Sequence, residues 1–256
     1  MTDTVFNNIA VIGAGTMGSG IAAQIANAGC DVLLLDLESK DQNTKTPAAA
    51  ALDRLLASDP PQLMHSRYVE RITTGTIDAD FHKLSGCDWI IEAVVERLDV
   101  KKALYKRLDE VISAECIISS NTSTIPITDL AENSNSPESF IGIHFFSPVN
   151  QMKLVEIIKG VKTSKSTLAK AFDFALKIEK IPLVVSDSRG FYTTRVFERY
   201  AKEGMALLHE GNHPVSIESA ARAAGFPVGP LAVIRGPEVR FMDTFWYLLI
   251  YFVGPF

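Results

Sequence analysis

Cysteine, excess positive charge and long apolar runs are all scarce in this chain of 256 residues. Three scattered cysteines without a C-x-x-C pair indicate neither a disulfide framework nor a zinc site, so we expect no metal and a reducing compartment. Lysine and arginine number 25 against 30 acidic residues, which argues against a nucleic-acid partner. The longest apolar run, 245–253, is shorter than the ~20 residues that span a bilayer, and the N-terminus carries no apolar signal segment. A cytoplasmic protein without a membrane span is therefore predicted.

The first half of the chain alternates between buried-strand and helical patterns. Strands are predicted at 9–12, 31–36, 68–73, 87–94 and 116–119, and helices at 15–28, 47–57 and 98–111. This alternation predicts an α/β fold built on a doubly wound, Rossmann-type parallel sheet. Ligands of such sheets bind beyond the carboxyl ends of the strands, so we expect the functional residues there.

The pattern changes further along the chain. Strands are predicted at 140–145, 153–158 and 182–185, and helices at 166–178, 191–208 and 215–224. The first two of these strands lie close enough in sequence to form a hairpin-like pair, and only helices are predicted beyond the turn-rich residues 187–190. We therefore expect a sheet-based domain at 1–186 and an all-helical domain at 187–256.

A glycine-rich motif, G-x-G-x-x-G, follows the first predicted strand and opens the first helix. In this pattern Gly13 permits a tight turn, Gly15 lets the backbone approach a pyrophosphate, and Gly18 allows close packing of helix and strand. The helix N-terminus offers N–H donors and a partial positive charge to an anion, so we include Thr16 and Met17 in the expected cofactor site. A plain glycine turn is the alternative.

An acidic residue ends the second predicted strand. Asp36 lies 18 residues after Gly18, where a carboxylate can accept hydrogen bonds from the adenosine ribose hydroxyls and repel a 2′-phosphate. The pair of signals favours NAD over NADP as the cofactor. The alternative is an acid that merely ends a strand.

Four separated motifs occur along the chain. They are Gly13-Ala-Gly-Thr-Met-Gly18, Glu92-Ala-Val-Val-Glu96, Ser120-Asn-Thr-Ser123, and His144-Phe-Phe-Ser-Pro148 followed by Leu154-Val-Glu156. Over roughly residues 5–230 the chain resembles the 3-hydroxyacyl-CoA dehydrogenases of fatty-acid β-oxidation, most closely the dehydrogenase portion of bacterial multifunctional β-oxidation proteins. The resemblance implies NAD-dependent oxidation of an L-3-hydroxyacyl-CoA to the 3-ketoacyl-CoA.

A histidine and a glutamate are the first candidates for the chemistry. His144 ends an apolar strand and Glu156 follows by twelve residues on the partner strand, so a hairpin could bring the two side chains together. A carboxylate can orient an imidazole and strengthen it as a base. The resemblance implies that His144 takes the proton of the substrate's 3-hydroxyl and that Glu156 supports it. The alternatives are a core histidine and a solvated glutamate.

Three further candidates come from the resemblance. It places Ser123 beside the substrate oxygen and the cofactor, whereas an isolated serine there would be read as a helix N-cap. Glu96 and Lys101 match positions that contact the nicotinamide side of NAD. Without the resemblance, they could be a helix-start acid and an exposed lysine that bind no ligand.

Two positions depart from the family pattern. Ser147 stands where the family has asparagine, which puts the positioning of the nicotinamide in doubt because a hydroxyl lacks the paired donor and acceptor of an amide. Thr194 stands in place of another asparagine, at the head of the first predicted helix of the second domain. We expect Thr194 to substitute as a catalytic hydroxyl donor, with a changed substrate preference as the other reading.

The end of the chain departs from the family pattern. The resemblance implies a longer helical domain that closes over the active site and forms a homodimer, but only about seventy residues follow Ser186, so the second domain is expected to be short and incomplete. Seven of the sixteen residues at 241–256 are aromatic, which an altered reading frame, an association surface or a membrane-touching tail would explain. Two other functions stay open: an NAD-binding remnant with little activity, and a dehydrogenase of a short 3-hydroxy acid.

Overall fold

The computed structural model describes residues 6, 8–39, 41 and 44–235, and the aromatic segment at 241–256 lies outside them. The strands are β1 (Ile9–Ile12), β2 (Val32–Asp36), β3 (Ile72–Thr76), β4 (Trp89–Glu92), β5 (Ile117–Ser120), β6 (Phe140–Phe145), β7 (Leu154–Lys159) and β8 (Ile181–Ser186). The α-helices are α1 (Thr16–Asn27), α2 (Pro47–Ala57), α3 (Ile77–Asp80), α4 (Leu98–Leu108), α5 (Ile127–Ala131), α6 (Lys165–Lys177), α7 (Thr193–His209), α8 (Pro214–Ala223) and α9 (Pro230–Arg235). One compact unit extends to Phe191 and a second begins at Tyr192.

The eight strands of the described residues belong to one sheet, in the order β3-β2-β1-β4-β5-β6-β7-β8. Neighbouring strands are parallel except for β6 and β7, which pair antiparallel as the hairpin-like prediction required. The chain runs outward from β1 in one direction to β3 and then returns to place β4 on the other side of β1. The doubly wound topology is therefore confirmed, and its switch point, where ligands of such sheets bind, lies between β1 and β4.

The sheet is stable because apolar side chains cover both of its faces. Successive residues of a strand point to opposite faces, so Val11 and Ile91 join one buried cluster while Ile12 and Ile90 join the other. All four are fully buried, and burial of such a side chain contributes roughly 1.5–3 kcal/mol. Two-sided burial explains why these strands have continuous apolar sequences rather than alternating ones.

One predicted strand is displaced along the chain. The first four residues of the segment predicted at 68–73 belong to a 3-10 turn, Ser66–Arg71, and the strand β3 begins only at Ile72. Tyr68 packs against the core cluster from this turn, and the Arg71 guanidinium donates to the carbonyl of Gly29 at 3.0 Å, so tertiary contacts stabilise the turn. The short elements α3, α5 and α9 were not predicted, because four to six residues are too few to show helical periodicity.

The described part of the second unit is all-helical, as predicted. Helix α7 meets α9 at Gly204, where a Cβ atom would come within 2.5 Å of the Pro230 side chain. The Tyr200 ring stacks on Phe226 at 4.5 Å, and the Glu218 carboxylate accepts hydrogen bonds from backbone N–H groups at the start of α9. No helix in the described ranges is both long and apolar enough to cross a membrane.

Candidate active site

The glycine-rich loop joins β1 to α1 at the carboxyl end of the sheet. Gly13 has a φ of +105°, and a Cβ there would lie 2.4 Å from the carbonyl oxygen of Ala93. A Cβ on Gly18 would lie 1.7 Å from the carbonyl oxygen of Gly13. Gly15 is different, because it is exposed and has nothing within 4 Å of a Cβ position. The first and third glycines are thus required by packing within the protein, and the second leaves the backbone open to a ligand.

The Asp36 side chain closes one side of this loop. One carboxylate oxygen accepts a hydrogen bond from the N–H of Ala14 at 2.6 Å and the other accepts one from the N–H of Leu37 at 2.6 Å. On the opposite side of the same peptide segment, the Arg54 guanidinium of α2 donates to the carbonyl of Ala14 at 2.9 Å. Arg54, for which no role was predicted, anchors α2 to the loop.

These groups fit a dinucleotide. Helix α1 has no side-chain cap, so donors of its first turn are open to an anion beside the exposed Gly15. Thr16 is exposed and Met17 is half-buried in that turn. A pyrophosphate at the helix N-terminus and a ribose hydroxyl at Asp36 match this donor and acceptor set.

His144 and Glu156 meet across the only antiparallel pair among the described strands. They are register partners in β6 and β7, and the Nδ1 atom of His144 lies 2.8 Å from Oε2 of Glu156. Glu156 is fully buried and His144 nearly so, which rules out the solvated glutamate considered from the sequence. Because an ionised carboxylate only accepts, Nδ1 carries the proton and Nε2 is the basic nitrogen. The aromatic rings of Phe146 and Phe191 flank the imidazole, at 4.5 and 6.1 Å between centroids.

A second buried carboxylate, Glu92, ends β4. One of its oxygens accepts from the N–H of Val94 at 2.8 Å and from Lys101 Nζ at 2.7 Å. The other accepts from the Tyr105 hydroxyl at 2.6 Å and from the Ser120 hydroxyl at 2.7 Å. Glu92 is fully buried, so these four donors replace the water that a carboxylate would otherwise lose at a high cost in free energy.

Lys101 connects Glu92 to Glu96. Its ammonium is 1% exposed and lies 3.2 Å from Oε2 of Glu96, so the reading of Lys101 as an exposed lysine is wrong. Burial works against ionisation of Glu96, but the Lys101 ammonium and the Thr122 hydroxyl together hold the pKa of this carboxyl below its usual value. Glu96 therefore stays ionised and available as an acceptor.

The backbone around Ser123 is held by Glu96. Oε1 of Glu96 accepts from the N–H groups of Ser123 at 3.0 Å and Thr124 at 3.3 Å. Ser123 is half-buried and does not cap a helix, because α5 begins at Ile127. The side-chain oxygen of Asn121 accepts from the N–H of Phe145 at 2.8 Å, next to His144, so the loop is also tied to the end of β6.

The structure thus brings together candidates that lie far apart in sequence. Glu96, Lys101 and Ser123 form one contiguous cluster at the carboxyl ends of β4 and β5. Ser147 lies half-buried in the connection after β6, and Thr194 is the second residue of α7 in the second unit. Sequence reasoning assigned no role to four further members of this region: Glu92, Tyr105, Ser120 and Asn121. The spacing of Lys101 and Tyr105, four residues apart on one helix, and an acid ending an apolar strand were the available signals.

The remaining ionisable clusters of the described residues suggest no other chemistry. No group of three or more histidine, cysteine or acidic side chains in these ranges has an arrangement that could hold a metal ion. Burial raises the pKa of the Cys87 thiol to about 11 and that of Cys116 to about 12. Both thiols are therefore protonated near neutrality and unsuited to act as nucleophiles.

Comparison with protein families assigns most of the chain. Residues 8–188 match the family described as "3-hydroxyacyl-CoA dehydrogenase, NAD binding domain", and residues 190–239 match the "3-hydroxyacyl-CoA dehydrogenase, C-terminal domain". The chain belongs to the 3-hydroxyacyl-CoA dehydrogenase family. The resemblance carried by the four motifs is confirmed, and the cofactor of the sheet-based unit is NAD.

Individual relatives agree with this assignment. The chain is 37% identical over 229 residues to a 3-hydroxybutyryl-CoA dehydrogenase of Clostridioides difficile, covering 88% of this chain and 80% of that protein. It is 36% identical over 238 residues to the fatty acid oxidation complex subunit alpha of Psychrobacter cryohalolentis, covering 93% of this chain and 32% of that protein. The chain therefore spans about a third of the length of such alpha subunits.

A solved structure shows the same fold. The crystal structure of (S)-3-hydroxybutyryl-CoA dehydrogenase PaaH1 from Ralstonia eutropha matches with a TM-score of 0.81 at 32% identity. The match covers 98% of this chain and 89% of that one. The Rossmann-type sheet followed by a helical region is thus an architecture that this chain shares with other dehydrogenases of the family.

Proposed function

We propose that this chain catalyses the reversible, NAD-dependent oxidation of an L-3-hydroxyacyl-CoA to the 3-ketoacyl-CoA, a step of fatty-acid β-oxidation. The contact between His144 and Glu156 carries the proposal, because a buried carboxylate at 2.8 Å from Nδ1 fixes an imidazole as a base at the ligand-binding edge of an NAD domain. Family membership supports the same reaction class, and relatives named for 3-hydroxybutyryl-CoA support a substrate carried by coenzyme A.

In the direction of oxidation, Nε2 of His144 takes the proton of the substrate's 3-hydroxyl group. The electron pair of that O–H bond forms the new carbonyl as C3 loses a hydride. NAD held by the glycine-rich loop and Asp36 would supply the acceptor for this hydride. Glu156 stabilises the imidazolium that results, since it already accepts the hydrogen bond from Nδ1. The reaction conserves atoms and electrons without a further reactant.

The other candidate residues hold the reactants. The Ser123 hydroxyl donates to the substrate oxygen, and Thr194 supplies a second hydroxyl donor. Glu96, Lys101 and Ser147 contribute to the nicotinamide side of the cofactor site, and Gly13, Gly15, Thr16, Met17, Gly18 and Asp36 bind the rest of the dinucleotide. A homodimer and a cytoplasmic location stay predictions.

The direct test measures NADH oxidation by the intact chain with acetoacetyl-CoA as the acceptor. We expect turnover with acetoacetyl-CoA and none with free acetoacetate. Turnover of the free acid would favour a dehydrogenase of short 3-hydroxy acids instead. A folded sample that binds NAD, yet loses no NADH in the presence of acetoacetyl-CoA, would contradict the proposed activity and favour an NAD-binding remnant.

A further inference from the structure

We propose that Glu92, Tyr105 and Ser120 act as positioning residues for the loop at residues 121–124, here called the serine loop, and through it for Ser123. This inference rests on the proposed function, in which Ser123 touches the substrate. All three side chains are fully buried and cannot touch the substrate from solvent. They would therefore affect the reaction by fixing the position of the serine loop.

Glu92 is the centre of this arrangement. Both of its oxygens are saturated, with two donors each, and the donors come from three separate segments: the end of β4, helix α4 and strand β5. For stability alone, an apolar residue such as leucine could take the place of this buried carboxylate and would need no hydrogen-bond donors. The convergence of three segments instead fixes where the ends of β4 and β5 lie relative to α4.

Ser120 transmits the position of Glu92 to the serine loop. Its hydroxyl donates to Oε2 of Glu92 and accepts from the N–H of Thr122 at 3.3 Å. The N–H of Asn121 donates to the backbone carbonyl of Glu92 at 2.8 Å. The first half of the serine loop is therefore bound to Glu92 directly.

A second route reaches the other half of the loop. Lys101 bridges the Glu92 and Glu96 carboxylates, and Glu96 accepts from the N–H groups of Ser123 and Thr124. Two carboxylates and one ammonium leave a net charge of minus one in a buried cluster. The neutral Tyr105 hydroxyl stabilises that charge by donating a hydrogen bond to Glu92, since burial and the Glu92 carboxylate raise the pKa of the phenol and keep it protonated.

The chain contains a matched pair of serines that separates positioning from general stability. Ser119 and Ser120 are adjacent in β5 and both fully buried, but they point to opposite faces of the sheet. The Ser119 hydroxyl accepts from Trp89 Nε1 at 2.8 Å and donates to the carbonyl of Ile90 at 3.4 Å, on the face of the sheet opposite to Glu92. Ser119→Ala is thus a control for the loss of one buried hydroxyl.

The experiment compares Ser120→Ala and Tyr105→Phe with Ser119→Ala. For the first two variants we expect kcat with acetoacetyl-CoA to fall about tenfold to a hundredfold, with the KM for NADH within about twofold of the wild type, because misplacement of a positioned group mainly affects the reacting geometry. The control should lower the midpoint of unfolding while kcat stays within about twofold. Equal kcat losses in all three variants, or none in Ser120→Ala and Tyr105→Phe, would overturn the proposal.

Hydrogen exchange of the ligand-free protein gives a readout that does not depend on turnover. The amides of residues 121–124 should exchange faster in Ser120→Ala and Tyr105→Phe than in the wild type, and at the wild-type rate in Ser119→Ala. Unchanged protection in the first two variants would show that the loop is held by other contacts. Protection changed as expected in a protein whose wild type lacks turnover would instead count against the proposed function.

Discussion

Two regions at the carboxyl edge of the same sheet are built in opposite ways. At the ends of β1 and β2, the surface is formed by backbone: an exposed Gly15, the open first turn of α1 and a single carboxylate, Asp36. At the ends of β4, β5 and β6 and the start of β7, it is formed by buried polar side chains that hydrogen-bond one another, among them Glu92, Lys101 and the Glu156–His144 pair.

The contrast matches the two tasks of the proposed reaction, cofactor binding and proton transfer. A dinucleotide can be held by N–H groups that need no side chain, so the first region requires glycine where the backbone must approach closely. Proton transfer requires a base in a fixed tautomer, so the second region requires ionisable groups whose orientation is set by buried partners. We expect substitutions in the first region to alter cofactor binding and those in the second to alter turnover.

The largest effect is expected at the histidine pair. His144→Ala should lower kcat by about 1,000-fold and Glu156→Gln by about 100-fold, because the base is lost in one variant and its orienting carboxylate in the other. The Kd for NAD, measured by fluorescence titration, should stay within about twofold of the wild type. The exposed Glu110→Gln serves as the control for loss of a carboxylate. Near-normal turnover by His144→Ala would refute the assigned base.

The glycine loop offers two variants that separate folding from binding. Gly13→Ala should destabilise the protein by about 2 kcal/mol or more, because the new Cβ meets the Ala93 carbonyl oxygen at a positive φ. Gly15→Ala should leave the free energy of unfolding almost unchanged but weaken NAD by about tenfold or more, because only the ligand occupies that space. Calorimetric unfolding and NAD titration measure the two quantities. Similar behaviour of both variants would contradict the division of roles.

The third prediction concerns the pH dependence of stability that arises from Lys180, which binds the connection between β6 and β7. Lys180 is buried, and its ammonium donates to the backbone carbonyls of Val149 and Met152. Burial lowers the pKa of Lys180 from 10.5 to about 8, so between these values the unfolded chain binds more protons than the folded one. Its contribution to stability is therefore complete above pH 10.5 and is lost as the pH falls through 8.

The free energy of unfolding, measured across this pH range, tests the titration of Lys180. Between pH 7 and pH 10, the free energy of unfolding of the wild type should rise by about 2 kcal/mol relative to that of Lys180→Met. Exposed Lys177→Met should show no such change relative to the wild type. A difference between wild type and Lys180→Met that is constant with pH would show that the lysine does not titrate in this window.

The smallest effect is expected at Asp36. Asp36→Asn should weaken NAD by about tenfold and reduce the discrimination against NADP, because the carboxylate that accepts from the ribose and repels a 2′-phosphate is lost. Titration with both cofactors measures this change, and Asp31→Asn, at an exposed site before β2, is the control. An unchanged preference for NAD would assign Asp36 a purely structural role through its bond to the N–H of Ala14.

The two regions were not equally accessible from the sequence. The glycine loop could be located because each of its three glycines meets a local requirement within six residues. These are a tight turn, close approach of a ligand to the backbone, and close contact between helix and strand. The His144–Glu156 contact could be predicted because antiparallel neighbours joined by a short connection bring opposed residues together. In contrast, the start of the strand predicted at 68–73 was wrong, because contacts of Tyr68 and Arg71 with distant parts of the chain stabilise a 3-10 turn before Ile72.

By itself, the sequence determined the doubly wound sheet, the NAD loop and the pairing of base and carboxylate, since apolar periodicity, glycine spacing and strand register act over short distances along the chain. Only the tertiary structure decided that Glu92 would accept hydrogen bonds from Tyr105 and Ser120 and that Lys101 would be buried between two carboxylates. Tyr105 and Ser120 lie 13 and 28 residues from Glu92, on elements whose relative placement depends on packing across the whole sheet. A long polar side chain can reach many possible partners. Burial favours the arrangement in which every polar group has a hydrogen-bond partner, because an unpaired buried group costs free energy.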